Sequence, residues 1–317
     1  MTVVHPATPD AAAPATAADR LSFDQRIVLV TVVPMVVFAG LRLAGGAPPV
    51  LAALALFLGG PHVLATLGMY ADREIAAVAR GDRWRFVTGP LLVIPAVAIG
   101  FGLTTGTPAL WLLTALLAWQ TYHFTKQNLG MFAFWCRSRR LPSMDGFERR
   151  YLKATSLVGI AGIVRAMDVL PTWNGALQAF GATLMVVGAA IVAIRLRGPR
   201  RWAMLLATVF FAPVVLSNVD VLGASFIYQS AHGAQYYLMV GHTIRADRRA
   251  VRLTIPVVLC GGVALLFITS PSAFANMPWL FGLGKGIVAA HFVADASLWR
   301  LGNPEVRRVM KERFAFL

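Results

Sequence analysis

Between Phe86 and Trp119 the sequence reads FVTGPLLVIPAVAIGFGLTTGTPALWLLTALLAW, with no Asp, Glu, Lys or Arg. The short polar sequence TTGTP, residues 104–108, divides this segment into two apolar stretches. An apolar stretch of about 20 residues is long enough to cross the hydrocarbon core of a bilayer as a helix. Similar stretches recur from Ile27 to Leu301. We therefore predict an all-α, polytopic membrane protein.

The composition of the whole chain excludes the common soluble classes. Of its 317 residues, 57% are hydrophobic and only 14% are charged, and the mean hydropathy is +0.66. A soluble domain has about 25% charged residues, so this chain has too few to cover a globular surface. A soluble enzyme, a disordered chain and a secreted disulfide-linked scaffold are excluded.

The distribution of positive charge predicts the topology. Ten apolar stretches can be delimited: residues 27–44, 47–70, 87–104, 108–134, 155–170, 174–194, 202–217, 221–243, 253–269 and 279–299. Nearly all of the 29 Lys and Arg precede the first stretch or follow the even-numbered ones, and the alternate loops contain none. Loops rich in Lys and Arg stay on the cytoplasmic side. We expect about ten transmembrane helices, both termini cytoplasmic, in a bacterial-type inner (plasma) membrane.

The same alternation accounts for the formal net charge of +15. We therefore expect contact with membrane lipids and no binding of nucleic acid. Residues 1–24 are predicted to be a disordered cytoplasmic tail, residues 25–301 the transmembrane helical domain, and residues 302–317 a cytoplasmic C-terminal tail. Cys136 and Cys260 form no metal-binding motif, and we interpret them as packing residues.

Four histidines lie inside predicted spans at similar depth. Ionisable residues at membrane depth are costly, and they indicate functional sites. His62, His123, His232 and His291 are on the second, fourth, eighth and tenth spans, which all run in the same direction. Counted to the following Arg at about 1.5 Å per residue, they share a layer roughly 8 Å thick. We predict that they form one metal site; His242, near the membrane boundary, is a weaker candidate.

Polar residues accompany these histidines at helical spacing. Residues three or four positions apart share a helix face, and a ligating imidazole is usually held by a further polar group. Asp295 follows His291 by four residues, as a ligand or as a group that anchors the ring. Four polar residues close to His123 or His232 are predicted to bond to ligands or to bound oxygen: Tyr122, Gln127, Gln235 and Tyr236.

The predicted donor set is rich in imidazole nitrogen and includes one carboxylate. Imidazole binds zinc, copper, iron and nickel, and the cysteine positions exclude a thiolate site. A nitrogen-rich set with open positions favours non-haem iron, one or two ions, and chemistry with O₂. Zinc is the alternative, because three histidines and a water are its usual catalytic arrangement.

Three short motifs carry a family resemblance. They are GGPHVLATLGMYAD from Gly59, YHFTKQN from Tyr122 and YQSAHGAQYY from Tyr228. Together they resemble the Brp/Blh family, membrane-embedded iron-dependent dioxygenases that cleave β-carotene into retinal. The resemblance implies iron ligands at His62, His123 and His232, and a long apolar substrate that enters sideways from the lipid.

The chain departs from the family pattern at each motif. Val63 follows the first histidine in place of Gly, Gln127 and Asn128 stand where an acidic residue is expected, and Gln235 stands where a second histidine is expected. His291 and Asp295 are expected to replace the missing ligand.

These observations predict a metal-dependent oxidoreductase, an oxygenase that acts with O₂ on a hydrophobic, lipid-like substrate, with carotenoid cleavage as one form of that reaction. Two other functions stay open. A zinc-dependent intramembrane hydrolase would use the same histidines with Asp295 as base. A proton-coupled transporter would use the histidines and Asp295 as a relay.

Overall fold

The computed structural model describes residues 21–43, 58–216 and 221–317, and every regular element in these ranges is helical. The helices are α1 (Phe23–Leu43), α2 (His62–Met69), α3 (Arg73–Gly81), α4 (Gly89–Leu103), α5 (Gly106–Ser138), α6 (Gly146–Ala166), α7 (Asn174–Arg195), α8 (Gly198–Val209), α9 (Ala212–Leu216), α10 (Val221–Ile244), α11 (Arg248–Pro256), α12 (Gly262–Ile268), α13 (Pro271–Asn276), α14 (Pro278–Leu298) and α15 (Pro304–Arg313). The π-helical turn Trp84–Thr88 continues into α4, and a second π-helical turn, Val257–Gly261, joins α11 to α12. A 3₁₀ turn, Pro171–Trp173, precedes α7.

Four segments of the described chain are long and apolar enough to cross a membrane. They are Phe23–Gly40, Trp84–Leu103, Pro171–Arg195 and Arg248–Ile268, and at most 22% of each is buried within the protein. The long helices that carry His123, His232 and His291 have polar side chains, which lower their hydropathy. The chain therefore combines exposed apolar helices, suited to contact with lipid, with helices whose polar side chains face inward.

Several predicted spans differ from the observed helices. The predicted span 202–217 is broken at Phe210 and Phe211, because Pro213 in the next turn lacks the N–H that a continuous helix needs. The predicted span 155–170 begins earlier, at Gly146, because Asp145 and Glu148 form a capping box. The first part of the predicted span 47–70 lies outside the described residues, and so do residues 1–20 of the predicted N-terminal tail.

The C-terminal segment, residues 302–317, contains a docked helix. Arg313, at the end of α15, donates hydrogen bonds to Asp72 at 3.1 Å and to Glu74 at 3.0 Å. Asp72 also caps α3 through the backbone N–H groups of Glu74 and Ile75. The end of the chain is thereby fixed beside the turn that follows α2.

Small residues let the histidine-bearing helices approach their neighbours closely. An added Cβ at Gly286 of α14 would lie 2.6 Å from the carbonyl oxygen of Ile94 on α4. An added Cβ at Gly233 of α10 would overlap the carbonyl oxygen of Leu58, shortly before α2. Small residues of this kind bring backbones together in membrane proteins. They bring α14 against α4, and α10 against the segment that leads into His62.

Candidate metal centre

Four buried imidazoles form a closed ring at the centre of the described chain. His62 begins α2, and His123, His232 and His291 lie on α5, α10 and α14. The ring centroids are 4.7 Å apart for His62 and His232, 5.2 Å for His232 and His123, 5.1 Å for His123 and His291, and 5.2 Å for His291 and His62. None of the four is more than 8% exposed. The tertiary structure therefore brings together all four histidines of the predicted layer.

The separation of donor atoms fits a shared metal ion. The Nε2 atoms of His62 and His232 are 3.1 Å apart. Two ligands that each lie about 2.1 Å from one ion, at tetrahedral or square angles, are about 3.0–3.4 Å apart. Donor atoms of His62, His232 and His291 all lie within 4.8 Å of one another, and so do those of His123, His291 and Asp295. The two groups share His291, so they are adjacent parts of one cluster.

Asp295 lies one turn beyond His291 and is held by a tyrosine from another helix. Its Oδ1 accepts a hydrogen bond from the hydroxyl of Tyr236 at 2.6 Å. Its Oδ2 is 3.8 Å from Nε2 of His123, and its Oδ1 is 3.7 Å from Nδ1 of His291. The carboxylate is 5% exposed. In its ionised form it would offset the charge of a cation bound inside the histidine cluster.

Thr66 links Tyr236 to His291. Its Oγ1 is 2.7 Å from the Tyr236 hydroxyl and 2.6 Å from Nδ1 of His291. With Asp295 ionised, the single hydroxyl proton of Tyr236 is donated to Asp295, so Thr66 donates to Tyr236. Thr66 then has no proton left and must accept the one on Nδ1 of His291.

This order of donors determines the tautomer of His291. With its proton on Nδ1, the neutral ring carries a lone pair on Nε2, the form in which an imidazole binds a metal. The other ring nitrogen of a ligating histidine is commonly held in this way by a polar group. Asp295, Tyr236 and Thr66 thus leave the lone pair on Nε2 of His291 available to a metal ion.

Each histidine has one buried ring nitrogen without a hydrogen-bond partner among the described residues. These atoms are Nδ1 of His62, Nε2 of His123, Nδ1 of His232 and Nε2 of His291. A buried polar atom left unpaired costs about 1–3 kcal/mol, and an ion in the cluster would give Nε2 of His123 and Nε2 of His291 a partner. His62 and His232 would meet the same ion through their facing Nε2 atoms, so the ion does not account for their Nδ1 atoms. Imidazole nitrogens with one carboxylate suit iron or zinc. The residues present therefore fit a metal ion.

Aromatic side chains enclose the cluster. The Phe124 ring centroid is 3.9 Å from that of His232, and Phe292 stacks on His123 at 4.5 Å. Trp119 packs edge-on against Phe292 at 5.5 Å. Aromatic side chains bury a large apolar surface. They exclude water from this side of the histidines and limit how far the rings can move.

Two of the predicted polar partners lie behind the histidines. Nε2 of Gln127 donates to the backbone carbonyl of His232 at 2.9 Å and to Oε1 of Gln235 at 3.0 Å. Nε2 of Gln235 donates to Thr31 at 2.8 Å and to Asn128 at 3.3 Å. This amide network joins α1, α5 and α10. Gln127 and Gln235 thus hold the backbone around His232.

Two other predicted residues are not brought to the cluster. Tyr122 precedes His123, so its side chain points to another face of α5; it is 42% exposed and its ring lies 6.0 Å from the Lys126 ammonium group. His242 is hydrogen-bonded at 3.1 Å to the carbonyl oxygen of Arg313 and stacks on Phe314. Its position ten residues beyond His232 on α10 places it about 15 Å away along the axis.

Thr66 and Thr31 were missing from the sequence-based set of site residues. Thr66 follows His62 by four residues, so helical spacing places both on one face of α2. That spacing is the signal that could have identified Thr66. Thr31 is on α1, which carries no histidine in the described chain, and no pattern in the sequence points to it.

Comparison with models of known protein families, with curated proteins and with solved structures finds no match to this chain. The resemblance to the Brp/Blh family therefore depends on the three short motifs alone.

Proposed function

We propose that this chain is a membrane-embedded non-haem iron oxygenase that acts with O₂ on a hydrophobic, lipid-like substrate. The observation that carries the proposal is the closed ring of four buried imidazoles with Asp295 beside it. His62, His123, His232 and His291 would hold the iron, one ion or two, with Asp295 as a further ligand or as the group that positions His123 and His291. A carotenoid is one candidate substrate, from the Brp/Blh resemblance.

Iron bound here would supply O₂ binding and redox chemistry, which amino acid side chains do not provide. The chain itself contributes three things. Thr66 and Tyr236 hold His291 in its ligating tautomer. Phe124 and Phe292 keep water from the histidines. The exposed apolar helices keep the site within reach of molecules dissolved in the lipid.

The proposal includes the membrane topology expected from the charges: ten spans, both termini cytoplasmic, in a bacterial-type inner membrane. The four exposed apolar helices support a membrane location. The Arg and Lys residues at alternate chain segments support the orientation. Fusions of a reporter enzyme after Asp168 and after Arg197 test it, because the two positions are expected on opposite sides of the membrane.

The test of the metal site is elemental analysis of the full-length protein purified in detergent. We expect one or two irons per chain, lost in each of His62→Ala, His123→Ala, His232→Ala and His291→Ala. The matched control is His242→Ala, which removes a histidine from α10 outside the cluster and should retain the iron. Substrate-dependent O₂ uptake by the iron-loaded protein is the second readout.

The other results have definite meanings. Zinc in place of iron, with no O₂ uptake, would replace the oxygenase with the hydrolase. A protein that binds no metal under any loading condition would overturn the proposal and leave the proton-coupled transporter. Equal metal content in His123→Ala and His242→Ala would show that the cluster is not the binding site.

A further inference from the structure

A lateral groove of about 1090 Å³ lies between α1, α5 and α8, with one residue of α10 at its inner end. Its apolar walls include Val28 and Val32 of α1, Met131 and Phe132 of α5, and Ala203 and Leu206 of α8. Small-molecule sites are typically about 300–1,000 Å³ in volume. The groove is therefore large enough for a long-chain molecule.

The two ends of the groove differ in polarity. At one end, Asp24 and Arg139 form an ion pair at 3.4 Å. At the inner end, the lining residues are Thr31, Asn128 and Gln235. The eleven positions from Asn128 to Arg139 correspond to about 16 Å along a helix. The groove is thus an apolar channel with a charged mouth and an uncharged, hydrogen-bonding inner end.

The charges of the lining residues select a neutral occupant. Asp24 and Arg139 are its charged lining residues, and they pair with each other. No cation or anion of the lining is left to receive a charged group at the inner end. Burying an unpaired charge is far more costly than burying a hydroxyl or carbonyl that is hydrogen-bonded. The groove complements a neutral lipid better than an anionic one.

The inner end of the groove is linked to the metal centre. Gln235 accepts a hydrogen bond from Gln127, and the same amide nitrogen of Gln127 donates to the backbone carbonyl of His232. The polar inner end thus lies one hydrogen-bonded layer behind the histidines. An oxygen atom on a bound lipid would find amide and hydroxyl groups there.

The geometry points to a binding site for a neutral long-chain lipid that carries one uncharged oxygen function, a hydroxyl or a carbonyl. The oxygen is bound among Thr31, Asn128 and Gln235, and the chain extends along Leu206 and Ala203 towards the Asp24–Arg139 pair. We assign this lipid as the oxygenated product of the metal centre, and that assignment rests on the proposed function. The binding site itself does not.

The site can be tested by photo-crosslinking with the full-length protein in detergent. The probe is hexadecanol with a diazirine at mid-chain, compared with hexadecyl phosphate that carries the same diazirine. We expect saturable labelling of peptides from α1, α5 and α8 by the alcohol, at least tenfold above labelling by the phosphate. Equal labelling by both probes, preference for the phosphate, or labelling spread over the exposed helices would overturn the inference.

Substitutions that fill the groove test whether the probe is bound inside it. Ala203→Trp and Ala207→Phe fill the groove at two heights and should each reduce labelling about tenfold. Ala190→Trp adds the same bulk on the exposed face of α7 and should leave labelling unchanged. Unchanged labelling in both groove variants would refute the site. Retained iron and thermal stability in each variant show that the fold is intact.

A metal-free sample separates this inference from the proposed function. Labelling should persist after iron is removed with a chelator, because the groove contains no metal ligand. If labelling fails in a protein that binds iron, the groove inference falls alone. If labelling succeeds in a protein that never binds metal, the oxygenase proposal falls and the lipid site stands.

Discussion

The hydroxyl of Thr66 gives the sharpest test of how the site is organised. Thr66→Val keeps the size and shape of the side chain but removes the group that accepts the Nδ1 proton of His291 at 2.6 Å. Tyr236 loses the Thr66 contact and keeps its hydrogen bond to Asp295. The perturbation therefore removes the acceptor for Nδ1 of His291 and one contact of Tyr236, and it leaves the hydrogen bond between Tyr236 and Asp295 in place.

The expected loss of metal affinity follows from one unpaired hydrogen-bond donor. In the metal-free variant the His291 ring can change tautomer or rotate, but metal binding requires Nε2 to be free and so leaves Nδ1–H buried without an acceptor. An unpaired buried donor costs about 1–3 kcal/mol. At about 1.4 kcal/mol for each factor of ten, metal affinity should fall roughly 5- to 150-fold. This range agrees with the 10–100-fold effect typical of groups that orient metal ligands.

The assay is competition for Fe(II) against a chromophoric chelator, under anaerobic conditions, with protein in detergent. Thr66→Ser is the matched control, because it retains the hydroxyl and should bind within a few-fold of the unmodified chain. Wild-type affinity in Thr66→Val, or an equal loss in Thr66→Ser, would refute the role assigned to this hydroxyl.

Two further substitutions test the packing and the amide network. Gly233→Ala places a Cβ against the carbonyl oxygen of Leu58 and separates α10 from α2, so iron content should fall at least tenfold. The control is Gly241→Ala, whose Cβ meets nothing within 4 Å. Equal iron content in the two variants would contradict the prediction. Gln235→Leu leaves Oδ1 of Asn128 without its donor, at a cost of about 1–3 kcal/mol. Its melting temperature should fall by roughly 2–10 °C with iron retained, and loss of iron at unchanged stability would place Gln235 among the ligands instead.

The sequence carried strong signals for helix formation. Apolar stretches and short breaks such as residues 104–108 predicted helices that closely resemble α4 and α5, because long apolar stretches in a membrane must satisfy their backbone hydrogen bonds internally. The break at Phe210 was missed, although Pro213 was visible, because the apolar pattern continues across it. The start of α6 at Gly146 was not predicted either, because its first turns are polar and the apolar pattern begins only later.

The sequence by itself predicted which ionisable side chains form the cluster. Four histidines in one layer are costly in a membrane, so their number, depth and helix direction already pointed to one centre, and the i+4 spacing from His291 identified Asp295. Which partners share a helix face can be worked out from 3.6 residues per turn.

Only the tertiary structure decided which groups meet across helices. Thr66 and Tyr236 are 170 positions apart in the chain, and spacing along one helix carries no information about such a contact. Spacing is equally silent on the hydrogen bond between Gln235 and Thr31. It also does not show that Tyr122 and His242 lie away from the histidine cluster. Helix rotation and the close approach that small residues such as Gly233 and Gly286 allow determine these contacts. A change of about 100° per residue separates a side chain that faces the cluster from one that faces the lipid.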